Sequence, residues 1–132
     1  VYGTVSLGSA YASFTGAADE DDSGRDVAGA GDVNGDGYAD ILIGARDSGA
    51  AGSDAGEAYV FFGPLSGAYS VTAANLRLQG EMPSDEAGIG VGGGFDSDGD
   101  GYDDVIVGAH GWDNAGNWRG KSYVVMGPGL CN

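Results

Sequence analysis

Apolar and polar positions in this chain do not recur at helical spacing. Short runs rich in Val, Ile, Tyr, Phe and Ala are cut off by clusters of Gly, Asp, Asn and Ser, the pattern of short strands joined by tight turns. The runs predict strands over Ala10–Thr15, Asp26–Gly31, Asp40–Ala45, Glu57–Phe62, Asn75–Gln79, Ile89–Gly94, Asp104–Ala109 and Lys121–Met126. Asp40–Ala45 and Asp104–Ala109 are continuously apolar after their first residue, as strands buried on both faces are. Asp26–Gly31 and Ile89–Gly94 are nearly all small, with Ala28-Gly29-Ala30-Gly31 in one and Gly92-Gly93-Gly94 in the other. Glycine weakens a strand, so such runs mark a close approach of another backbone. No stretch of useful length has helical period, and the predicted class is all-β.

The pattern occurs twice. A shift of 64 residues lays Asp32 on Asp96, Asp40 on Asp104, Gly24 on Gly88, Val27 on Val91, Tyr59 on Tyr123 and Gly63-Pro64 on Gly127-Pro128. A fixed period of this kind is the signature of a repeat architecture. Residues 1–132 therefore divide into 1–15, the end of a preceding unit with its outer strand, a first repeat over 16–79 and a second over 80–132. In chain order the strands read d, a-b-c-d, a-b-c. The second unit lacks an outer strand, and an unpaired strand d is expected at Ala10–Thr15.

The connection between strands a and b carries the chemistry. It reads D-x-[DN]-x-D-G-x-x-D, with Asp32, Asn34, Asp36, Gly37 and Asp40 in one copy and Asp96, Asp98, Asp100, Gly101 and Asp104 in the other. A tight loop turns alternate side chains inward, so oxygens at positions 1, 3 and 5 converge. Glycine at position 6 permits the bend, and Tyr38 or Tyr102 at position 7 offers a backbone carbonyl. The Asp at position 9 closes an all-oxygen shell of the kind Ca²⁺ prefers. An EF-hand would require Glu at position 12 between two helices, and Ile43 and Val107 stand there, inside apolar strands. A metal-free turn would also favour Asp, Asn and Gly, but acids in the same slots of both copies favour the cation.

Composition narrows the function. The 132 residues carry 20 acidic and 5 basic side chains, a net charge of −15. That excludes nucleic acid, whose phosphates need a basic patch, and no apolar run is long enough for membrane insertion. Cys131 is the only cysteine, so no intrachain disulfide forms. The chain starts at Val1 rather than Met, which suggests a processed form or a piece of something longer. Gly88–Gly93 fits G-x-G-x-x-G but leads into an acidic loop instead of a helix. His110 is the only histidine, with no nucleophile elbow near it. The chain is not expected to be an enzyme.

At Val27–Gly37, Asp40–Ala45 and Gly56–Val60 the chain resembles the FG-GAP repeats of the integrin α-subunit β-propeller and its bacterial relatives. It departs from that pattern at Ser23-Gly24 and Ala87-Gly88, where the repeat has Phe-Gly, and at Arg46 and His110, where it has Pro. The resemblance implies two four-stranded antiparallel propeller blades, two structural Ca²⁺ ions in the a–b loops, a location outside the cell, and partners on the face opposite those loops. Crowded carboxylates repel, so the ions would brace each a–b hairpin. The second loop has Asp98 where the first has Asn34, and is expected to bind more tightly.

The loop Ala109–Ser122, on the opposite face, holds Trp112, Trp118 and Arg119, residue types that anchor protein and carbohydrate contacts, although both Trp residues would equally serve to cap the blade's own core. Two blades do not close a ring, which takes four or more. Copies would associate as a closed oligomer or filament by lending strand d to a neighbour, or a longer chain would complete the ring. The similarity of Val1-Tyr2-Gly3 to Phe61-Phe62-Gly63 favours the second course. The expected function is a calcium-binding extracellular adhesion or structural module. The alternative is a non-catalytic accessory module of a secreted enzyme that binds a protein or glycan.

Overall fold

The computed structural model describes residues 3–113 and 118–127. Cys131, Val1, Tyr2 and the middle of the Trp loop lie outside them. Nine strands follow one another: β1 (Ala12–Thr15), β2 (Ser23–Gly31), β3 (Asp40–Ala45), β4 (Glu57–Phe61), β5 (Gly67–Ser70), β6 (Leu76–Gln79), β7 (Ala87–Phe95), β8 (Asp104–Ala109) and β9 (Lys121–Val125). Two short 3-10 turns occur, Leu7–Ser9 before β1 and Val71–Ala73 between β5 and β6.

The strands form a four-stranded sheet in the order β2-β3-β4-β6, a three-stranded sheet β7-β8-β9, and a two-stranded pair β1-β5. The first two sheets are antiparallel and share a register. Val27 faces Ile43 and Ile43 faces Tyr59 in one, and Val91 faces Val107 and Val107 faces Tyr123 in the other. The repeat seen in the sequence is thus a repeat of pairings. The expected second four-stranded sheet has three strands among the described residues.

The two sheets stack flank to flank. Leu42, Ala58 and Val60 of the first meet Val105, Val107 and Ala109 of the second, with Leu76 and Leu78 of β6 packed against them. Strands β2 and β7 run together along this joint. A Cβ on Gly93 would stand 2.6 Å from the Ala30 Cα, which explains why these strands are built of small residues. Three backbone bonds close the far end of the joint, Ser84 N–H to the Ser53 carbonyl (2.8 Å), Glu86 to Asp54 (3.0 Å) and Ala87 to Ala55 (3.0 Å).

The expectation of an unpaired N-terminal strand is corrected. β1 pairs in parallel with β5, Phe14 opposite Tyr69. The other flank of the first sheet presents Ile43, Tyr59 and Phe61, and this apolar surface needs cover. Phe14 stacks on Tyr69 at 5.1 Å and meets Phe61 edge-on at 4.7 Å, so β1 and β5 together bury it.

Candidate metal centre

Each acidic loop leaves a small-residue strand and enters an apolar one, so its carboxylates stand at the exposed end of a rigid hairpin. In the first loop Asp32 accepts from the backbone N–H groups of Gly35 (2.8 Å), Asp36 (3.1 Å) and Gly37 (2.8 Å). Asp36 accepts from Tyr38 N–H at 2.9 Å. In the second loop Asp96 takes Gly99 (2.8 Å), Asp100 (3.1 Å) and Gly101 (2.9 Å), and Asp100 takes Tyr102 N–H at 2.9 Å. The turn has the same backbone in both copies: φ is 86° at Gly37 and 90° at Gly101, a region that only glycine enters freely.

The last acid of each loop is the structural one. Asp40 is 1 % exposed and Asp104 fully buried. Asp40 accepts from Val33 N–H at 2.8 Å and from Gly63 N–H at 2.9 Å, tying the loop to the end of β4. Asp104 does the same with Ser97 N–H (2.8 Å) and Gly127 N–H (2.9 Å), and adds the Ser97 hydroxyl at 2.6 Å. Burial raises the Asp40 carboxyl above its usual range in spite of its two N–H donors. The Ser97 hydroxyl, helped by the Gly127 and Ser97 N–H groups, lowers Asp104 instead. Val33 occupies the position of Ser97 in the first loop and is buried in the core.

Only the second loop brings a metal-like carboxylate set together among the described residues: one oxygen each of Asp96, Asp98 and Asp104 lies within 4.8 Å of the others. Like charges this close should raise a pKa. Loss of hydration and the charge of Asp100 push the Asp98 carboxyl up, while the Gly101 N–H holds Asp96 down. In the first loop the Asn34 amide donates to Asp36 at 3.1 Å, filling with a neutral partner the slot that Asp98 fills with charge. The donor set is all oxygen and fits a hard divalent cation.

Sequence reading missed one residue at this end. Asp103, at the position of Ala39, reaches across the joint and accepts from Asp32 N–H at 2.8 Å. The Asp103 N–H returns a bond to the Asp32 carbonyl at 3.0 Å, so the first loop is pinned by the second sheet. The only hint in the sequence was an extra acid beside the motif.

At the opposite end, Trp112 is half-buried against the core, and its indole N–H reaches Glu81 at 3.4 Å. Lys121 bonds Glu81 at 2.7 Å and lies 4.8 Å from the ring centres of Trp112 and Tyr123. Trp118 is 68 % exposed and meets His110 edge-on at 5.8 Å. Arg119 and His110 line a shallow cleft beside it.

Residues 23–61 match the FG-GAP repeat family. The chain is 37 % identical over 105 residues to integrin alpha-5 of Xenopus laevis, an alignment covering 76 % of this chain and 10 % of that protein. It is 37 % identical over 100 residues to integrin alpha-PS2 of Drosophila melanogaster, covering 73 % of this chain and 7 % of the relative. Human integrin alpha-IIb is 34 % identical over 102 residues, covering 76 % and 9 %. The aligned part of this chain thus spans a tenth or less of the length of these relatives.

Proposed function

The chain belongs to the FG-GAP repeat family, and from that premise we propose that it is a calcium-braced adhesion module made of propeller blades and working outside the cell. The first repeat, 16–79, and the second, 80–132, each hold one structural Ca²⁺. Asp32, Asn34, Asp36, the Tyr38 carbonyl and Asp40 form one site. Asp96, Asp98, Asp100, the Tyr102 carbonyl and Asp104 form the other. The observation that carries the reading is the convergence of Asp96, Asp98 and the buried Asp104 within 4.8 Å. A hairpin carrying such a set gains rigidity when a cation replaces mutual repulsion with shared coordination. The ion neutralises and orients, and no catalytic step is assigned to it. The module acts by binding, and its ring is completed by other copies or by further repeats of a longer chain.

Exposed Trp118 and Arg119 favour a protein or glycan partner on the end opposite the ions, where Trp112 packs against the core. That contact serves an adhesion module and an accessory module of a secreted enzyme equally.

Calorimetric titration of the chelator-stripped chain with Ca²⁺ tests the sites. Two binding events are expected, the tighter one lost in Asp96→Ala and the weaker one in Asp32→Ala. Absence of calcium heat in the folded chain, or a melting temperature indifferent to chelator, would refute the reading.

A further inference from the structure

We propose that the Asn34-Gly35 peptide of the first acidic loop is a site of spontaneous deamidation, which turns the amide slot of that loop into the carboxylate slot that Asp98 fills in the second. The modification itself needs no ion, and its consequence for calcium rests on the metal reading above.

The sequence supplies the first condition. Of the asparagines at 34, 75, 114 and 117, only Asn34 precedes a glycine. A residue without a side chain leaves its backbone nitrogen open to the amide before it, whereas Leu76 crowds the nitrogen that follows Asn75. The fold then fixes that glycine. Gly35 takes φ 76°, and a Cβ there would stand 2.5 Å from the Tyr102 ring of the second sheet. The turn and the joint between the sheets both exclude a side chain that would protect this peptide. Gly99 has the same φ, 75°, behind Asp98, so a carboxylate in the slot of Asn34 fits the same backbone.

The hydrogen bonds of the loop supply the second condition. Asn34 Oδ1 accepts from Asp36 N–H at 3.2 Å, which folds the side chain back toward the peptide that follows it and polarises the carbonyl to be attacked. The Gly35 N–H donates to Asp32 at 2.8 Å, so a carboxylate already holds the proton that this nitrogen must lose. The Asn34 amide nitrogen lies 3.1 Å from Asp36. Asn75 is held otherwise: its Oδ1 accepts from Phe62 N–H at 2.8 Å, on a neighbouring strand. Gly35 and Asp36 are exposed, and water reaches the peptide.

The Gly35 nitrogen gives up its proton and attacks Asn34 Cγ. The Cγ–Nδ2 bond breaks, and the amide nitrogen takes up one proton and leaves as ammonia. A cyclic imide remains. Water opens it, its hydroxyl passing to a carbonyl carbon and its hydrogen to the Gly35 nitrogen. Opening at Cγ restores the main chain and leaves an aspartate. Opening at the backbone carbonyl leaves an isoaspartate, with the chain running through Cγ. Nothing is oxidised or reduced, and either product adds a negative charge to the loop. The aspartate gives the first loop the acids of the second. The isoaspartate adds a carbon to the main chain and shifts the Gly35, Asp36 and Gly37 N–H groups off Asp32. A cation held through Asn34 Oδ1 keeps the amide away from the nitrogen, so the free loop is the one that reacts.

The test incubates the full chain in mildly alkaline buffer, with calcium or with chelator, and follows tryptic peptides by mass. Trypsin isolates Asn34 in Asp26–Arg46, Asn75 in Asp47–Arg77, and Asn114 with Asn117 in Leu78–Arg119. In chelator, Asp26–Arg46 is expected to convert first, into two products separable by chromatography, and faster as pH rises. Calcium at about ten times its Kd should slow this about tenfold, the ratio of total to free loop. Asn34→Gln should leave the peptide unchanged. Asn34→Asp should shift the weaker calcium event toward the tighter one, and melting curves like that of wild type confirm that both variants are folded. An Asp26–Arg46 peptide that stays intact while the others convert overturns the proposal, as does equal conversion in Asn34→Gln. Calorimetry on the same samples separates the two readings. Conversion at one rate in both buffers, without calcium heat, defeats the metal sites alone. Calcium heat with Asn34 intact in chelator defeats the modification alone, and calcium heat with no slowing overturns the protection by the ion.

Discussion

Substitution Glu57→Gln should cost about 3 kcal/mol at neutral pH, the order expected when one partner of a buried charged network is lost. The Glu57 side chain is 1 % exposed and is the centre of a network that joins three segments of the first sheet. It accepts from the Ser48 hydroxyl at 2.7 Å, the Tyr59 hydroxyl at 2.5 Å, Arg77 at 2.8 Å and the Gln79 amide at 2.8 Å. Glutamine keeps the volume but turns an NH₂ group toward donors, and Ser48 and Tyr59 are too buried to find water. For a chain of this size the loss corresponds to a fall in Tm of roughly 10 °C. Burial pushes the Glu57 carboxyl up, but the Tyr59, Gln79 and Ser48 donors and the Arg77 charge outweigh it and hold the group below its ordinary range. A depressed carboxylate contributes stability that is present above its unfolded pKa and lost as pH falls through the folded one. The difference between wild type and variant should therefore shrink on acidification. On the alkaline side, burial and the Glu57 charge raise Tyr59 to about 12. Its contribution is complete below its ordinary pKa of about 10 and disappears as pH rises through about 12, a limb worth roughly 3 kcal/mol that Tyr59→Phe should lack. Thermal melts across pH measure both limbs. A Gln variant that melts within about 2 °C of wild type at neutral pH, or a difference that grows in acid, would refute the argument.

Two further outcomes are expected. Asp103→Ala removes the bond to Asp32 N–H and should cost about 1 kcal/mol, weakening calcium binding in the first loop while sparing the second; calorimetry that shows the reverse order counts against the cross-joint pin. Gly44→Ala would drive a Cβ into the Gly88 carbonyl and should destabilise the fold by about 1–3 kcal/mol in urea titration. Gly108→Ala, its counterpart in the second sheet, meets nothing closer than the Gly90 carbonyl at 3.6 Å and should change stability by less than about 0.5 kcal/mol. Equal effects of the two on stability would contradict the assigned flanks.

Strands β3 and β8 were legible to the residue, because an apolar run bounded by Asp and a following turn leaves little choice of register. Strands β2 and β7 begin earlier than expected, at Ser23 and Ala87. Each contains a glycine at φ near 88° that shifts the register, and hydrophobic alternation carries no trace of such a bulge. β5 was not legible at all. Gly67-Ala68-Tyr69-Ser70 has turn composition, and it becomes a strand only because the Phe14–Tyr69 stack covers an apolar flank. The acidic loops were readable because their function depends on spacing along one segment. Asp103, Asp26 and Glu57 were not, because each acts on a partner that only the fold brings near: Asp103 on Asp32, Asp26 on Val91 N–H at 2.8 Å, and Glu57 on Arg77.

The two repeats share a backbone but have divided their chemistry. In the second, the Ser97 hydroxyl lowers the Asp104 carboxyl and Asp98 adds a further carboxylate to the cluster. In the first, Asn34 and the buried Val33 replace them, and Asp103 supports the loop from the neighbouring sheet. At the other end Glu57 of the first repeat holds its own outer strand through Arg77 and Gln79. The second repeat has Lys121 there, committed to Glu81 and to the rings of Trp112 and Tyr123. A lysine in that place cannot hold an Arg-bearing strand. Substituting Lys121→Glu replaces the ion pair with Glu81 by two neighbouring carboxylates and should lower the melting temperature, with a loss that shrinks at high salt.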